Sequence, residues 1–134
     1  MWQAIYTAGI EIPRPFCTAR YYHRSINFKK LVDVGFSQTK PGATKAQQKL
    51  HAKLYRLPES TSTPGFRKMV RKDAKQVHTL LNQYLSTTFE IYQELSYEEV
   101  VRCLVPKEGV LSSYVVENEE GVITDFISYY SLPS

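Results

Sequence analysis

Apolar and polar positions alternate most clearly in the second half of the chain. Ala74, Val77, Leu80, Leu81, Tyr84 and Leu85 recur at three- and four-residue spacing. That spacing puts them on one side of a helix packed against a sheet. Asp73, with Gln76 three positions on, is expected to cap this helix. A second helix is expected from Ser96, where Glu99 completes a capping-box pattern. Val100, Val101, Cys103, Leu104 and Val105 form its apolar side, and Pro106 stops it. Phe66 to Val70, Leu111 to Glu117 and Val122 to Ser131 have strand character, and Asn118-Glu119-Glu120-Gly121 joins the last two as a hairpin. Strict alternation along the return strand places Thr124, Phe126, Ser128 and Tyr130 on one face and Ile123, Asp125, Ile127 and Tyr129 on the other.

The first half is less regular. Trp2 to Ile12 mixes aromatic and β-branched residues and reads as a strand, with Gly9 marking a bulge. Pro13 and Pro15 break it, and Thr18 to Arg24 is expected to return beside it, antiparallel. Inside that return lies Arg20-Tyr21-Tyr22-His23-Arg24-Ser25, which has more polar heads than a core strand needs. As a strand it would send Tyr21 and His23 one way and Tyr22 and Arg24 the other. Tyrosine and histidine combine apolar bodies with hydrogen-bonding tips, which suits a groove for a polar ligand. Asn27 is placed to cap a short helix from Phe28 to Val34, and Phe36 follows as a lone large apolar residue. Thr44 and Gln47 are a capping box for a helix from Lys45 to Lys53. Leu54 to Leu57 reads as extended. Pro58 to Gly65, rich in Ser, Thr and Pro, marks a boundary between two parts.

Composition narrows the class. The chain has 134 residues, 43% hydrophobic and 22% charged, as a soluble globular domain does. Its net charge of +4 is read as spread along the chain, compatible with an anionic partner without demanding one. Lys45, Lys49, His51 and Lys53 could form a nucleic-acid patch, but a solvated helix face explains them more simply, and no nucleic-acid partner is expected. Cys17 and Cys103 stand alone, without a CxxC pair. Together with His23 they match no metal spacing, so no metal site is expected. The sequence has no apolar run of the roughly 18 residues needed to cross a membrane and no visible signal peptide, and a cytoplasmic location is the expectation. The chain opens within one strand-like segment and stops just after another, which suggests a piece of a larger protein.

Four separated words carry a resemblance. They are Tyr6-Thr7-Ala8-Gly9, Arg20-Tyr21-Tyr22-His23-Arg24-Ser25, Leu54-Tyr55-Arg56-Leu57-Pro58, and the run from Thr124 to Ser134. In this order they closely resemble the middle of eukaryotic glycylpeptide N-myristoyltransferases, over essentially the whole chain. Tyr22 stands where that family usually has a tryptophan, and residues between Ser37 and Lys53 are the least family-like. The order strand, helix, helix, hairpin also resembles the opening of the acyl-CoA N-acyltransferase (GNAT) fold. The resemblance implies an α+β class: partial GNAT-like domains, with an antiparallel or mixed sheet and flanking helices. Residues 1–57 would end the first GNAT-like half, and residues 58–134 would begin the second, on the peptide-binding side.

The resemblance also implies a reaction. Myristate passes from myristoyl-CoA to the N-terminal glycine amine of a protein. Thr7 would lie near that amine, Tyr21, His23 and Phe36 would line the peptide groove, and Ser128 would offer a hydroxyl to the substrate. No residue here corresponds to the family's acyl-CoA site or to its carboxylate base. The segment is therefore expected to bind no cofactor, to contribute no catalytic group, and to be inactive alone. Myristoyl-CoA is the acyl donor of the full-length family. The alternatives are a non-catalytic relative that still holds glycine-initiated peptides and, less simply, a basic nucleic-acid-binding module.

Overall fold

The computed structural model describes residues 7–10, 15–37 and 44–132. The chain divides into two units, Met1–Pro58 and Glu59–Ser134.

A hairpin organises the second unit. β2 (Leu111–Glu117) and β3 (Ile123–Tyr130) pair antiparallel, and β1 (Phe66–Lys68) joins the other edge of β2, giving the order β1-β2-β3. The Asn118 side-chain oxygen closes the hairpin loop by accepting the Glu120 and Val122 N–H groups at 3.1 and 2.8 Å. Val116 faces Asp125 but Glu117 faces Ile123, so Thr124 is one residue too many on its strand. This bulge corrects the expected faces. Beyond it the alternation resets, and Ile123 joins Phe126 in the core instead of Asp125 and Ile127, which are exposed.

α3 (Ala74–Thr88) and α4 (Tyr97–Leu104) pack against that core. Met69, Ala74, Val77, Val100, Val115 and Ile123 are buried together, with Leu80, Leu95, Val101, Leu104, Val105 and Phe126 around them. Cys103 was expected on the apolar side of α4 but is exposed. At 100° per residue, a stripe through 100, 101 and 104 leaves position 103 on the flank. α4 begins at the expected capping box. Ser96 Oγ accepts the Glu99 N–H at 3.2 Å, and the Glu99 carboxylate accepts the Ser96 N–H at 2.8 Å. The Ser96 N–H and then its hydroxyl hold the Glu99 carboxyl below its usual range.

The start of α3 departs from expectation. A 3-10 turn, Arg71–Asp73, precedes it, so Asp73 already has helical dihedrals and makes no side-chain cap bond to α3. Its carboxylate turns instead to Arg67, whose guanidinium donates at 2.7 and 2.9 Å, and to the Val70 N–H at 2.8 Å. Arg67 also pairs with Glu117, so one side chain joins β1, the turn and the end of β2. Arg67 lowers the Asp73 carboxyl below its ordinary value of 3.8, burial opposes, and the Val70 N–H adds to the lowering. Gln76, the expected capping partner, ties α3 to the hairpin. It accepts the Ile123 N–H at 2.9 Å and donates to the Gly121 carbonyl at 3.3 Å. Asn82 pins the loop between the helices by bonding both the N–H and the carbonyl of Leu95.

The first unit is helical where it is regular. α1 (Phe28–Asp33) starts at Asn27, whose side chain accepts the Lys30 N–H at 3.1 Å. α2 (Lys45–Leu54) starts at the Thr44–Gln47 capping box, with bonds of 3.3 and 2.9 Å. Neither helix has a buried residue. Phe28 links them: its ring stacks on Tyr55 at 5.4 Å and meets His51 edge-on at 5.9 Å.

Two expectations fail in this unit. Thr18 to Arg24 is irregular and exposed, not a strand. A strand persists only as one member of a bonded pair, and among the described residues no strand pairs with Thr18 to Arg24. Its expected partner, Trp2 to Ile12, lies outside the described residues except at 7–10, which are irregular with a bend at Gly9 and Ile10. Leu54 and Tyr55 are not extended either. Leu54 completes α2, and the Tyr55 N–H still reaches the His51 carbonyl at 3.2 Å.

Candidate functional site

Four of the five candidate residues lie in the first unit. Thr7 and His23 are exposed, and Tyr21 and Phe36 are 85% and 73% exposed. Phe36 is therefore not buried by the rest of this chain; it follows Gly35, whose φ of +75° turns the chain at the end of α1. No hydrogen bond or ring contact joins the four to one another among the described residues. The Arg24 guanidinium lies 4.9 Å from the centre of the Tyr55 ring and donates to the Ser25 carbonyl at 2.8 Å. Arg24, Tyr55, Phe28 and His51 thus form one cluster that anchors the end of the Tyr21–Ser25 stretch. The sequence hides this cluster because Leu54-Tyr55-Arg56-Leu57 reads as extended, whereas Tyr55 is the C-cap of α2. The four-residue spacing of His51 and Tyr55 was the available signal.

Ser128 lies in the second unit, half-buried on β3. It sits directly across from Ser113 on β2, and the Ser113 hydroxyl donates to Ser128 Oγ at 3.0 Å. Ser113 was not singled out from the sequence. A serine inside a Ser-Ser pair gives no sign of its burial until the strand register is known.

Two further features belong to this unit. A cleft of about 220 Å³ lies between α3 and β3, walled by Leu80, Leu81, Tyr84 and Phe126, with Thr124 and Asp125 as its polar members. On the sheet, Phe66, Tyr114 and Tyr129 stack in a row with ring centres 5.0 and 6.2 Å apart. Among the described residues, no three His, Cys, Asp or Glu side chains are grouped as metal ligands, and no helix is long and apolar enough to cross a membrane. Cys17 and Cys103 are exposed free thiols.

Comparison with known proteins decides the family. Residues 33–134 match the family described as myristoyl-CoA:protein N-myristoyltransferase, C-terminal domain. The chain belongs to the N-myristoyltransferase family. Over its full length it is 46% identical to glycylpeptide N-tetradecanoyltransferase 2 of Danio rerio, and equally so to glycylpeptide N-tetradecanoyltransferase 1 of Arabidopsis thaliana. It spans 26% and 30% of the length of those relatives. Saccharomyces cerevisiae N-myristoyltransferase with bound myristoyl-CoA is similar in backbone, with a TM-score of 0.82 and 39% identity, over 92% of this chain and 30% of that one. The resemblance carried by the four words is thus a family membership. The small antiparallel sheet with its helices is consistent with a segment of the N-myristoyltransferase fold.

Proposed function

We propose that this chain supplies peptide-groove residues to a protein N-myristoyltransferase, which moves myristate from myristoyl-CoA to the N-terminal glycine amine of proteins. The observation that carries this reading is the 46% identity to a glycylpeptide N-tetradecanoyltransferase across all 134 residues. Thr7 lies near the glycine amine. Tyr21, His23 and Phe36 line the groove, and Ser128 hydrogen-bonds the substrate. The exposure of the first four supports the assignment, since each is free to meet a ligand.

The chemistry sets the division of labour. A neutral amine attacks the thioester carbonyl, a C–N bond forms, the C–S bond breaks, and CoA leaves as its thiolate. Positioning the amine turns a bimolecular step into an effectively unimolecular one, and that is the contribution of a peptide groove. Donors aimed at the developing oxyanion, and a base for the ammonium proton, are separate requirements. By family resemblance those groups are not among the residues of this chain. Residues 1–57 end one GNAT-like half and residues 58–134 begin the next, a division one residue from that between the two units. The setting is cytoplasmic, and the partners are glycine-initiated peptides.

Calorimetry on the isolated chain tests this reading. A synthetic glycine-initiated peptide is expected to bind saturably. The same peptide with leucine first should bind at least about tenfold more weakly, because a site fitted to glycine has no room for a side chain. A coupled thioester assay with myristoyl-CoA should show no turnover above background. Equal binding of both peptides would overturn the groove assignment, and turnover would overturn the division of labour.

A further inference from the structure

We infer that Ser113 is a positioning residue for Ser128, holding the Ser128 hydroxyl as a hydrogen-bond donor toward the peptide. The inference rests on the groove reading given above, and its starting point is burial. Ser113 is fully buried, at 0% exposure, yet it sits on the same face as the core residue Val115. A buried hydroxyl without a partner is costly. Its partner is Ser128 Oγ, 3.0 Å away across the strand pair. No buried side-chain polar atom is left without a partner among the described residues, and for the Ser113 hydroxyl that partner is Ser128.

The direction of the bond follows from the same fact. A hydroxyl has one proton to give and two lone pairs. Were Ser128 the donor, the Ser113 proton would point into an apolar core with nothing to receive it. An unmade buried donor costs more than an unused lone pair. Ser113 therefore donates, and one lone pair of Ser128 is occupied. The Ser128 proton remains free on the half-buried side of the pair. Accepting one bond while donating another also polarises a hydroxyl, which makes it the stronger donor. The groups this arrangement favours are acceptors, and on a peptide those are backbone carbonyl oxygens. Ser113 touches no substrate; it acts through Ser128.

Ser113→Ala, Ser128→Ala and the double variant, each titrated calorimetrically with the glycine-initiated peptide, form the test. Each single variant is expected to weaken binding about fivefold, the size of one hydrogen bond. The double variant should be no weaker than Ser128→Ala alone, because Ser113 acts only through Ser128. Losses that multiply would mean that Ser113 affects binding by a route other than Ser128, and that result would overturn the inference. So would unchanged binding by Ser113→Ala. NMR couplings at the Ser128 β-carbon give a second reading without peptide. One χ1 rotamer is expected in the parent chain and an averaged one in Ser113→Ala; identical couplings in both would also overturn it. A parent chain that binds no peptide removes the groove reading and the role of Ser113 with it, whereas binding that ignores Ser113→Ala removes only the latter.

Discussion

The same device starts a helix in each unit, and the outcomes differ. Thr44–Gln47 caps α2 and Ser96–Glu99 caps α4, with the same pair of reciprocal bonds. α4 then lays Val100, Val101 and Leu104 on a core shared with α3 and the sheet. α2 lays down nothing of the kind: Leu50 and Leu54 are exposed, and none of its residues is buried. Charge divides the same way. Residues 1–58 hold ten Lys and Arg against Glu11 and Asp33, a net +8, while residues 59–134 hold seven against eleven, a net −4. The excess expected to be spread along the chain is thus confined to one unit. A cap fixes where a helix begins; burial decides how much stability hangs on it.

The harshest way to break this contrast is to place a charge in each unit. Val100→Asp buries a carboxylate in the core and is expected to cost more than about 4 kcal/mol, abolishing cooperative unfolding. Leu50→Asp, at an exposed position of α2, is expected to stay within about 0.5 kcal/mol. Urea denaturation followed by near-ultraviolet circular dichroism compares the two. Similar losses from both would mean that α2 also rests on a core.

A smaller effect is expected at Arg67, which holds the second unit together electrostatically. Arg67→Ala strands the Asp73 carboxylate, which is only 3% exposed, without its ion pair. Breaking a buried pair costs roughly 3–5 kcal/mol, and because Arg67 itself is about a third exposed, about 2 kcal/mol is expected here. The dependence on pH has a definite sign. The folded protein holds Asp73 below 3.8, so the pair's contribution is complete above that value and fades as pH falls through the lower folded value. The gap between parent and variant should therefore be widest near neutrality and shrink below pH 3.8. A gap that grows on acidification would show that Asp73 is not the group responsible.

These contrasts also explain what was legible in the sequence. Caps and helical stripes are local, so Asn27, Thr44–Gln47, Ser96–Glu99 and the Val77–Leu80–Leu81 face were all readable. What depended on a partner across space was not. Asp73 and Gln76 have the spacing of a capping box, but Arg67 claims one and the hairpin claims the other. The bulge at Thr124 reset the faces of β3, and no spacing rule marks a bulge that lacks glycine. Thr18 to Arg24 had strand composition, yet composition supplies no ladder. The candidate site was read residue by residue from the family words. Ser113 and Tyr55 stayed hidden because one needs the strand register and the other a helix end.

The finest test uses the two capping boxes themselves. Ser96→Ala leaves the Glu99 N–H without its acceptor at the start of a packed helix. It is expected to lower the stability of the cooperative transition by about 1 kcal/mol. Thr44→Ala removes the same bond from α2. With no core beneath that helix, its loss is expected only as a small drop in far-ultraviolet helicity, at an unchanged urea midpoint. Measuring both signals on both variants separates the local worth of a cap from what packing transmits. An equal midpoint shift in the two variants would show that α2 is coupled to cooperative unfolding as tightly as α4, despite having no buried residue of its own.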